Sequence, residues 1–145
     1  MPFGNPSDTE IAGILARTRT IALVGWSADP TRPSHGVARY LASAGYRVIP
    51  VNPGLAGRPA LSGAVVASLS DIPADAGVEM VDIFRRSSEV GKVVDEALAC
   101  LPELRVIWTQ LGVRDDAAAA RAMRAGVAVV QDRCPAIERP RLLGS

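Results

Sequence analysis

The loop that follows the first apolar run of the chain has the residue types of a phosphate-binding loop. The run ends at Gly25, and the residues after it are rich in serine, proline and arginine. A dinucleotide fingerprint would place glycines two and five positions after Gly25, where this chain has Ser27 and Pro30. The loop therefore lacks two glycines of that motif, and its hydroxyl and guanidinium groups become the candidates for binding an anion.

Arginines recur in the segments that follow apolar runs. The six of them are Arg32, Arg58, Arg85, Arg86, Arg114 and Arg133. Arginine binds phosphate oxygens bidentately, and backbone amides at a helix start add donors and a favourable dipole. If the apolar runs are parallel strands, this charge collects around one crevice and suits a polyanion. For any single arginine a solvated loop position is an equal alternative.

The order of elements predicts the sheet that would bring these segments together. Ser7 and Glu10 have the spacing of a capping box, which predicts a first helix over 8–17. Apolar runs and amphipathic stretches then alternate. This alternation predicts an α/β fold with a parallel sheet covered on both faces. The predicted strands are 20–25, 46–53, 78–84, 104–112 and 127–134, and the later helices start near 34, 88 and 114.

Several residues predict where these elements end or how they lie. Ser34 is predicted to cap the second helix, and Gly45 to end it. Pro50 cannot donate to a neighbouring strand, so it favours an edge position or a strand end. Asp82 lies inside an apolar strand and is expected to accept hydrogen bonds there, because burying an unbonded carboxyl is costly. Trp108 is expected in the core.

Length and composition favour one domain without a strongly charged surface. The 145 residues are predicted to form a single domain, 1–145, with an N-terminal helix within 1–18 and a C-terminal tail at 136–145. A net charge of +1 gives no indication of a nucleic-acid or membrane partner. The N-terminus lacks the pattern of a secretory signal, and two cysteines are too few for a disulfide framework. A cytoplasmic location is therefore expected.

Several spaced blocks together resemble one known family. "ALVGWSADPTRPSHGVARYLASAGYRVIPVNP" is followed by "VDIFRRSSEV", "WTQLGV" and "VVQDRC". These blocks closely resemble the small stand-alone CoA-binding proteins, which are relatives of the CoA-binding domain of succinyl-CoA synthetase alpha chains. The resemblance covers about 20–138. It implies a Rossmann-like fold with a five-stranded, mainly parallel sheet, helices on both faces, and coenzyme A (CoA) or an acyl-CoA held across the strand ends.

The resemblance also implies which residues would contact the ligand. The first loop would lie near the pyrophosphate, the end of the second strand near the adenosine, and the blocks after the third and fourth strands would complete the site. The implied binding residues are Gly25, Ser27, Arg32, Ser34, Asn52, Pro53, Phe84, Arg85, Arg86, Gln110 and Gly112. Trp26 stands where the family pattern usually has a smaller apolar residue.

Catalytic and metal-binding patterns are weak in this chain. "GWSAD" departs from a nucleophile elbow because Asp29 replaces the final glycine, and the only histidine is His35. Two cysteines and one histidine, widely spaced, do not predict a zinc site. Cys134 could pair with the CoA thiol, but packing at the end of the sheet is the favoured interpretation. The sequence therefore predicts a binding protein with no catalytic or metal-binding residues.

Two other functions remain open at this stage. An NAD(H)-binding module of a small oxidoreductase or redox sensor would use a similar sheet, although such folds usually place an acidic residue where this chain has Asn52 and Pro53. A regulatory subunit could instead use bound nucleotide to present a surface to a protein partner. The identity of any such partner is not predicted.

Overall fold

The computed structural model describes residues 3–144 of the chain. Within that range the main strands are β1 Thr20–Val24, β2 Arg47–Val51, β3 Met80–Ile83, β4 Val106–Thr109 and β5 Ala128–Val130. The α-helices are α1 Asp8–Arg17, α2 Pro33–Ser43, α3 Ser87–Cys100, α4 Asp116–Arg124 and α5 Pro135–Leu143. None of the helices in the described part of the chain is long and apolar enough to cross a membrane.

The five strands form one sheet whose pairings are all parallel. Their order across the sheet is β2-β1-β3-β4-β5. Side chains from α3 and α4 pack into the core on one face, and side chains from α1, α2 and α5 pack into the core on the other. The predicted α/β, Rossmann-like fold with a five-stranded sheet covered on both faces is therefore confirmed.

The strand order creates a crevice beside β1. The chain runs from β1 through α2 to the edge strand β2, and then returns to β3 on the other side of β1. The helices that follow β1 and β3 consequently lie on opposite faces of the sheet. In open parallel sheets this reversal leaves a gap beyond the carboxyl ends of the strands, where ligands bind.

Local residue choices explain the positions of three elements. Every residue of β1 is buried, which fits a central strand covered on both faces. Pro50 lies in β2 at the edge of the sheet, as the sequence predicted. Gly45 follows α2 with a φ of +106°, a left-handed conformation that ends the helix at little steric cost.

The helix starts differ from the prediction at one site residue. Ser34 does not cap α2: the N-cap is Arg32, whose side chain makes no capping bond, and Pro33 occupies the first turn. The fixed φ of proline suits the first helical position, so the helix begins before the serine. Ser34 is instead a buried residue of the first turn.

The end of the chain is more ordered than the prediction of a tail at 136–145. A helix, α5, occupies it as far as Leu143 and packs in the layer of α1 and α2. The sequence did not predict this helix because Pro140 lies inside it, and proline usually breaks a helix interior. The first helix, α1, agrees with the prediction. Met1, Pro2 and Ser145, which belong to the predicted domain 1–145, lie outside the described residues.

Candidate ligand-binding site at the strand ends

A cleft opens at the carboxyl ends of β1, β3 and β4. It has a volume of about 450 Å³ and is bordered by the loops that follow these strands and by the first turn of α2. The predicted binding residues that line it are Gly25, Ser27, Arg32, Ser34, Phe84, Arg85, Arg86 and Gln110. The structure thus brings residues from three separate sequence blocks to one surface.

Gly25 permits the loops after β1 and β3 to come close together. Its φ is +91°, and a Cβ atom at this position would lie 2.3 Å from the carbonyl oxygen of Phe84. Its amide donates to the carbonyl of Val51 at 2.9 Å. A side chain would therefore both strain the backbone and push the end of β3 away. Glycine is required here, at the end of β1, where the strand order reverses.

Two helix N-termini at this cleft have no side-chain cap. The N-cap residues of α2 and α3 are Arg32 and Arg86, and neither side chain accepts from a first-turn amide. By contrast, Ser7 caps α1 and Asp115 caps α4. The amides and dipoles of α2 and α3 remain available to an anion, and the two N-cap guanidinium groups line the same cleft.

The loop after β4 contributes the buried side-chain amide of Gln110 and a turn that is held by hydrogen bonds. Gln110 is buried and lines the cleft, and its Oε1 atom has no hydrogen-bond partner in the described part of the chain. Gly112 does not line the cleft: its φ is +78° and its amide donates to Oδ1 of Asp132 at 2.6 Å. Thr109 Oγ1 also donates to the carbonyl of Val113 at 2.6 Å. These contacts hold the turn that presents Gln110.

A smaller apolar arm adjoins the cleft on the α3 side of the sheet. Its volume is about 200 Å³, and its apolar wall includes Val51, Pro53, Leu69 and Val93. Gly25 and Arg85 line both the arm and the cleft, so the two spaces meet there. Pro53 is a predicted site residue that lines the arm but not the cleft.

Three further polar residues of the arm come from α3, and the prediction omitted them. They are Glu89, Lys92 and Glu96. Glu89 Oε1 lies 3.5 Å from Nη2 of Arg85, and Lys92 lies three residues further along the helix. Helical periodicity does not predict this pair, because Arg85 precedes Arg86, the N-cap of α3, and only Glu89 lies in the helix.

Asn52 stabilises the loops rather than lining either space. Its Nδ2 donates to the carbonyl of Trp26 at 2.8 Å, and its Oδ1 accepts from the amide of Gly54 at 2.9 Å. Both polar ends of the side chain are therefore used by the backbone. The turn after β2 is fixed against the loop after β1.

The charged residues around the cleft differ in whether a neighbouring group already binds them. Asp29 accepts hydrogen bonds from the amide and hydroxyl of Thr31 at 3.0 and 2.8 Å, and these bonds lower the pKa of its carboxyl. Among residues 3–144, Arg32 and Arg86 form no ion pair with an acidic side chain. Their charges can be directed toward a ligand.

Ser27 of the loop after β1 and His35 of α2 are not arranged as a nucleophile and base. Ser27 Oγ accepts from the amide of Asp29 at 3.1 Å, whereas Nδ1 of His35 lies 2.8 Å from the backbone oxygen of Ser27. The His35 ring is 5.6 Å from the Trp26 ring, centre to centre. Trp26 is buried, so its bulk fills the core beneath the loop and does not obstruct the cleft.

One buried carboxyl differs from its expectation. Asp82 is fully buried, and neither carboxylate oxygen has a hydrogen-bond partner within the described residues, so the expected acceptor role is wrong. Burial raises the pKa of Asp82 well above its usual value. Its neighbours across the sheet, Leu23 and Trp108, are apolar or aromatic, and the Trp108 indole donates instead to the carbonyl of Arg133 at 2.8 Å.

The two cysteines lie apart, one in the core and one at the end of a helix. Cys134 is buried in the core, and Cys100 is partly exposed at the end of α3. Within the described range 3–144, no three His, Cys, Asp or Glu side chains come together as metal ligands.

Comparison with known proteins decides the family. The model of a family described as the CoA binding domain matches residues 19–140, which is most of the chain. The chain belongs to this CoA-binding family. Membership supports a CoA-type ligand in general and confirms the resemblance found in the sequence blocks. It fits the convergence of uncapped helix N-termini and arginines at the strand ends.

Relatives of this CoA-binding chain extend over nearly its full length. The uncharacterized protein YneT of Bacillus subtilis is 38% identical over 130 residues, which cover 90% of this chain and 92% of YneT. A structure from Thermus thermophilus is 38% identical with a TM-score of 0.87, covering 94% of this chain and 99% of that one. A hypothetical protein from Pyrococcus horikoshii is 35% identical with a TM-score of 0.88, covering 99% and 97%.

Proposed function

We propose that this protein binds coenzyme A, or an acyl-CoA, through its ADP moiety and without catalysing a reaction. The observation that carries the proposal is the meeting of two uncapped helix N-termini, those of α2 and α3, at one cleft that also contains Arg32, Arg85 and Arg86. The pyrophosphate lies there, because amides, helix dipoles and guanidinium groups all favour negative charge.

The adenosine lies in the apolar arm. Val51, Pro53, Leu69 and Val93 provide the apolar walls that a purine ring needs, and the arm opens into the cleft at Gly25. Gly25 lines both spaces and has no side chain that could narrow their junction, where the ribose would lie. The ribose phosphate then lies near Arg85, which borders both spaces.

The pantetheine chain extends along the loop after β4. Its amide groups can donate a hydrogen bond to Oε1 of Gln110, a buried acceptor that has no partner among residues 3–144. Phe84, Leu111 and Val113 supply apolar surface on the same wall. This combination of one polar atom and apolar surface fits pantetheine.

The absence of a reaction is proposed from the roles of the polar side chains. The hydroxyl of Ser27, which lines the cleft, accepts from a backbone amide, and Nδ1 of the nearby His35 bonds the backbone oxygen of Ser27, so neither side chain activates the other. Arginines bind anions but are too basic to exchange protons near neutral pH. Such a site binds its ligand without changing it chemically.

Calorimetric titration with CoA, 3′-dephospho-CoA and NAD⁺ under one buffer and salt condition tests the proposal. We expect micromolar or tighter binding of CoA, weaker binding of the dephospho form, and none of NAD⁺. Binding of NAD⁺ in place of CoA would favour the dinucleotide-binding alternative. Binding of none of the three would contradict the proposed site.

A further inference from the structure

Glu89 lies in the arm between two cations, one of which, Arg85, also borders the cleft. Its Oε1 is 3.5 Å from Nη2 of Arg85, and its Oε2 is 3.6 Å from Nζ of Lys92. The Glu89 side chain is 31% exposed, against 42% for Arg85 and 84% for Lys92. The carboxylate therefore lies where a phosphate group would bridge the same two cations.

We propose that Glu89 sets the selectivity of the site between a ligand with a ribose 3′-phosphate and one with a free 3′-hydroxyl. This inference rests on the proposed function, because it requires the ribose to lie at the junction. A phosphate is repelled by the carboxylate and must displace it from Arg85. A ribose hydroxyl instead donates to a carboxylate, as in dinucleotide-binding folds. Arg85 and Lys92 favour the phosphate, and Glu89 opposes them.

Glutamine is the informative replacement at this position. Glu89→Gln keeps the size of the side chain, removes the repulsion, and adds an amide group that can donate to a phosphate. Glu89 is in the first turn of α3, where an acid interacts favourably with the helix dipole, so the variant is expected to be slightly less stable. A melting curve without ligand measures that effect separately from affinity.

The same helix offers a matched control. Glu96 also lines the apolar arm, but its carboxylate accepts from the amide of Ser70 at 3.3 Å and forms no ion pair with Arg85. Glu96→Gln removes the same charge from the same arm. It is expected to leave the choice between the two ligands unchanged.

The experiment measures dissociation constants of CoA and 3′-dephospho-CoA for the wild type, Glu89→Gln and Glu96→Gln. We expect tighter CoA binding by Glu89→Gln, and a ratio of dephospho-CoA to CoA dissociation constants that rises by about threefold, the scale of a partly exposed ion pair. An unchanged ratio in Glu89→Gln, or an equal rise in Glu96→Gln, would overturn the inference. Failure of the wild type to bind either ligand would instead overturn the proposed function.

Discussion

At the scale of single residues, Gly25 is a position on which both the fold and the proposed site depend. Replacing it by alanine would place a Cβ 2.3 Å from the Phe84 carbonyl oxygen and strain a φ of +91°. We expect Gly25→Ala to lower the free energy of unfolding by more than about 2 kcal/mol, measured by urea denaturation.

Gly36 provides the control for this substitution. It lies in α2, and a Cβ there would meet no atom within 4 Å. Gly36→Ala is expected to raise stability slightly, since alanine favours a helix interior. Equal unfolding midpoints for Gly25→Ala and the wild type would show that the loops after β1 and β3 can separate without cost.

Arg85 and Arg86 are adjacent but line different spaces. Arg85 borders both the arm and the cleft, whereas Arg86 borders only the cleft. We expect Arg85→Ala to weaken CoA more than 3′-dephospho-CoA, by on the order of 1 to 3 kcal/mol, because it loses a charge-assisted bond to the 3′-phosphate. Arg86→Ala is expected to weaken both ligands equally. Equal losses for both ligands in Arg85→Ala would place the 3′-phosphate elsewhere.

A substitution at Ser34 distinguishes a role in ligand binding from a role in helix capping. Because Arg32 is the N-cap of α2, the Ser34 hydroxyl is not needed to start the helix. Ser34→Ala is therefore expected to weaken CoA binding, measured by calorimetry, while the unfolding midpoint changes little. A large loss of stability with unchanged affinity would assign the hydroxyl to the fold alone.

At the scale of the elements, β3 contains an acid that opposes folding at neutral pH. Burial raises the pKa of Asp82, whereas the unfolded chain has an ordinary carboxyl pKa. Between these two values the folded state keeps its proton and the unfolded state releases it. Stability contributed by this group is thus present at low pH, and is lost as pH rises above the ordinary value toward the raised one.

Asp82→Asn tests this assignment because asparagine cannot ionise. The variant is expected to gain stability relative to the wild type as pH rises from about 4 toward neutrality. Urea unfolding of both proteins across that range measures the difference. Parallel pH profiles for the two proteins would mean that the Asp82 carboxyl has the same pKa in the folded and unfolded chains.

The elements also explain which features the sequence could predict. Buried parallel strands leave continuous apolar runs, so the sheet was recoverable, and the cleft residues directly follow those runs. The apolar arm was not recoverable, because residues near Leu69 and Val93 come from elements that meet only in the folded chain. α5 was missed because Pro140 lies inside it. The lack of a partner for Asp82 depends on neighbouring strands, which local sequence does not specify.

At the scale of the whole molecule, a cluster of charged residues connects the first helix, α1, with the last helix, α5. Glu138 of α5 is buried, and its Oε1 accepts from Arg133 at 3.2 Å and from Arg141 at 2.6 Å. Arg141 also donates to both carboxylate oxygens of Asp8 in α1, at 2.9 and 3.0 Å, and this pairing lowers the pKa of Asp8. The layer of α1 and α5 is thereby tied to the end of β5.

This cluster provides a test of whether 1–145 is one domain. Glu138→Gln keeps the shape of the side chain but removes the charge between two arginines, each about 40% exposed. Because water can partly solvate those arginines, the expected loss of stability is about 1 to 2 kcal/mol, less than for a fully buried pair. Glu103→Gln is the control, since Glu103 is exposed and forms no ion pair within 3–144.

Two spectroscopic probes distinguish one cooperative unit from two. Trp26 and Trp108 are both buried on the sheet face that α1 and α5 cover, so their fluorescence reports on that core, while far-ultraviolet circular dichroism reports on all helices. If the chain is one domain, both signals of Glu138→Gln shift together to a lower urea midpoint with an unchanged slope. If α1 and α5 detach first, the fluorescence transition precedes the dichroism transition, and the terminal helices form a separate unit covering the sheet.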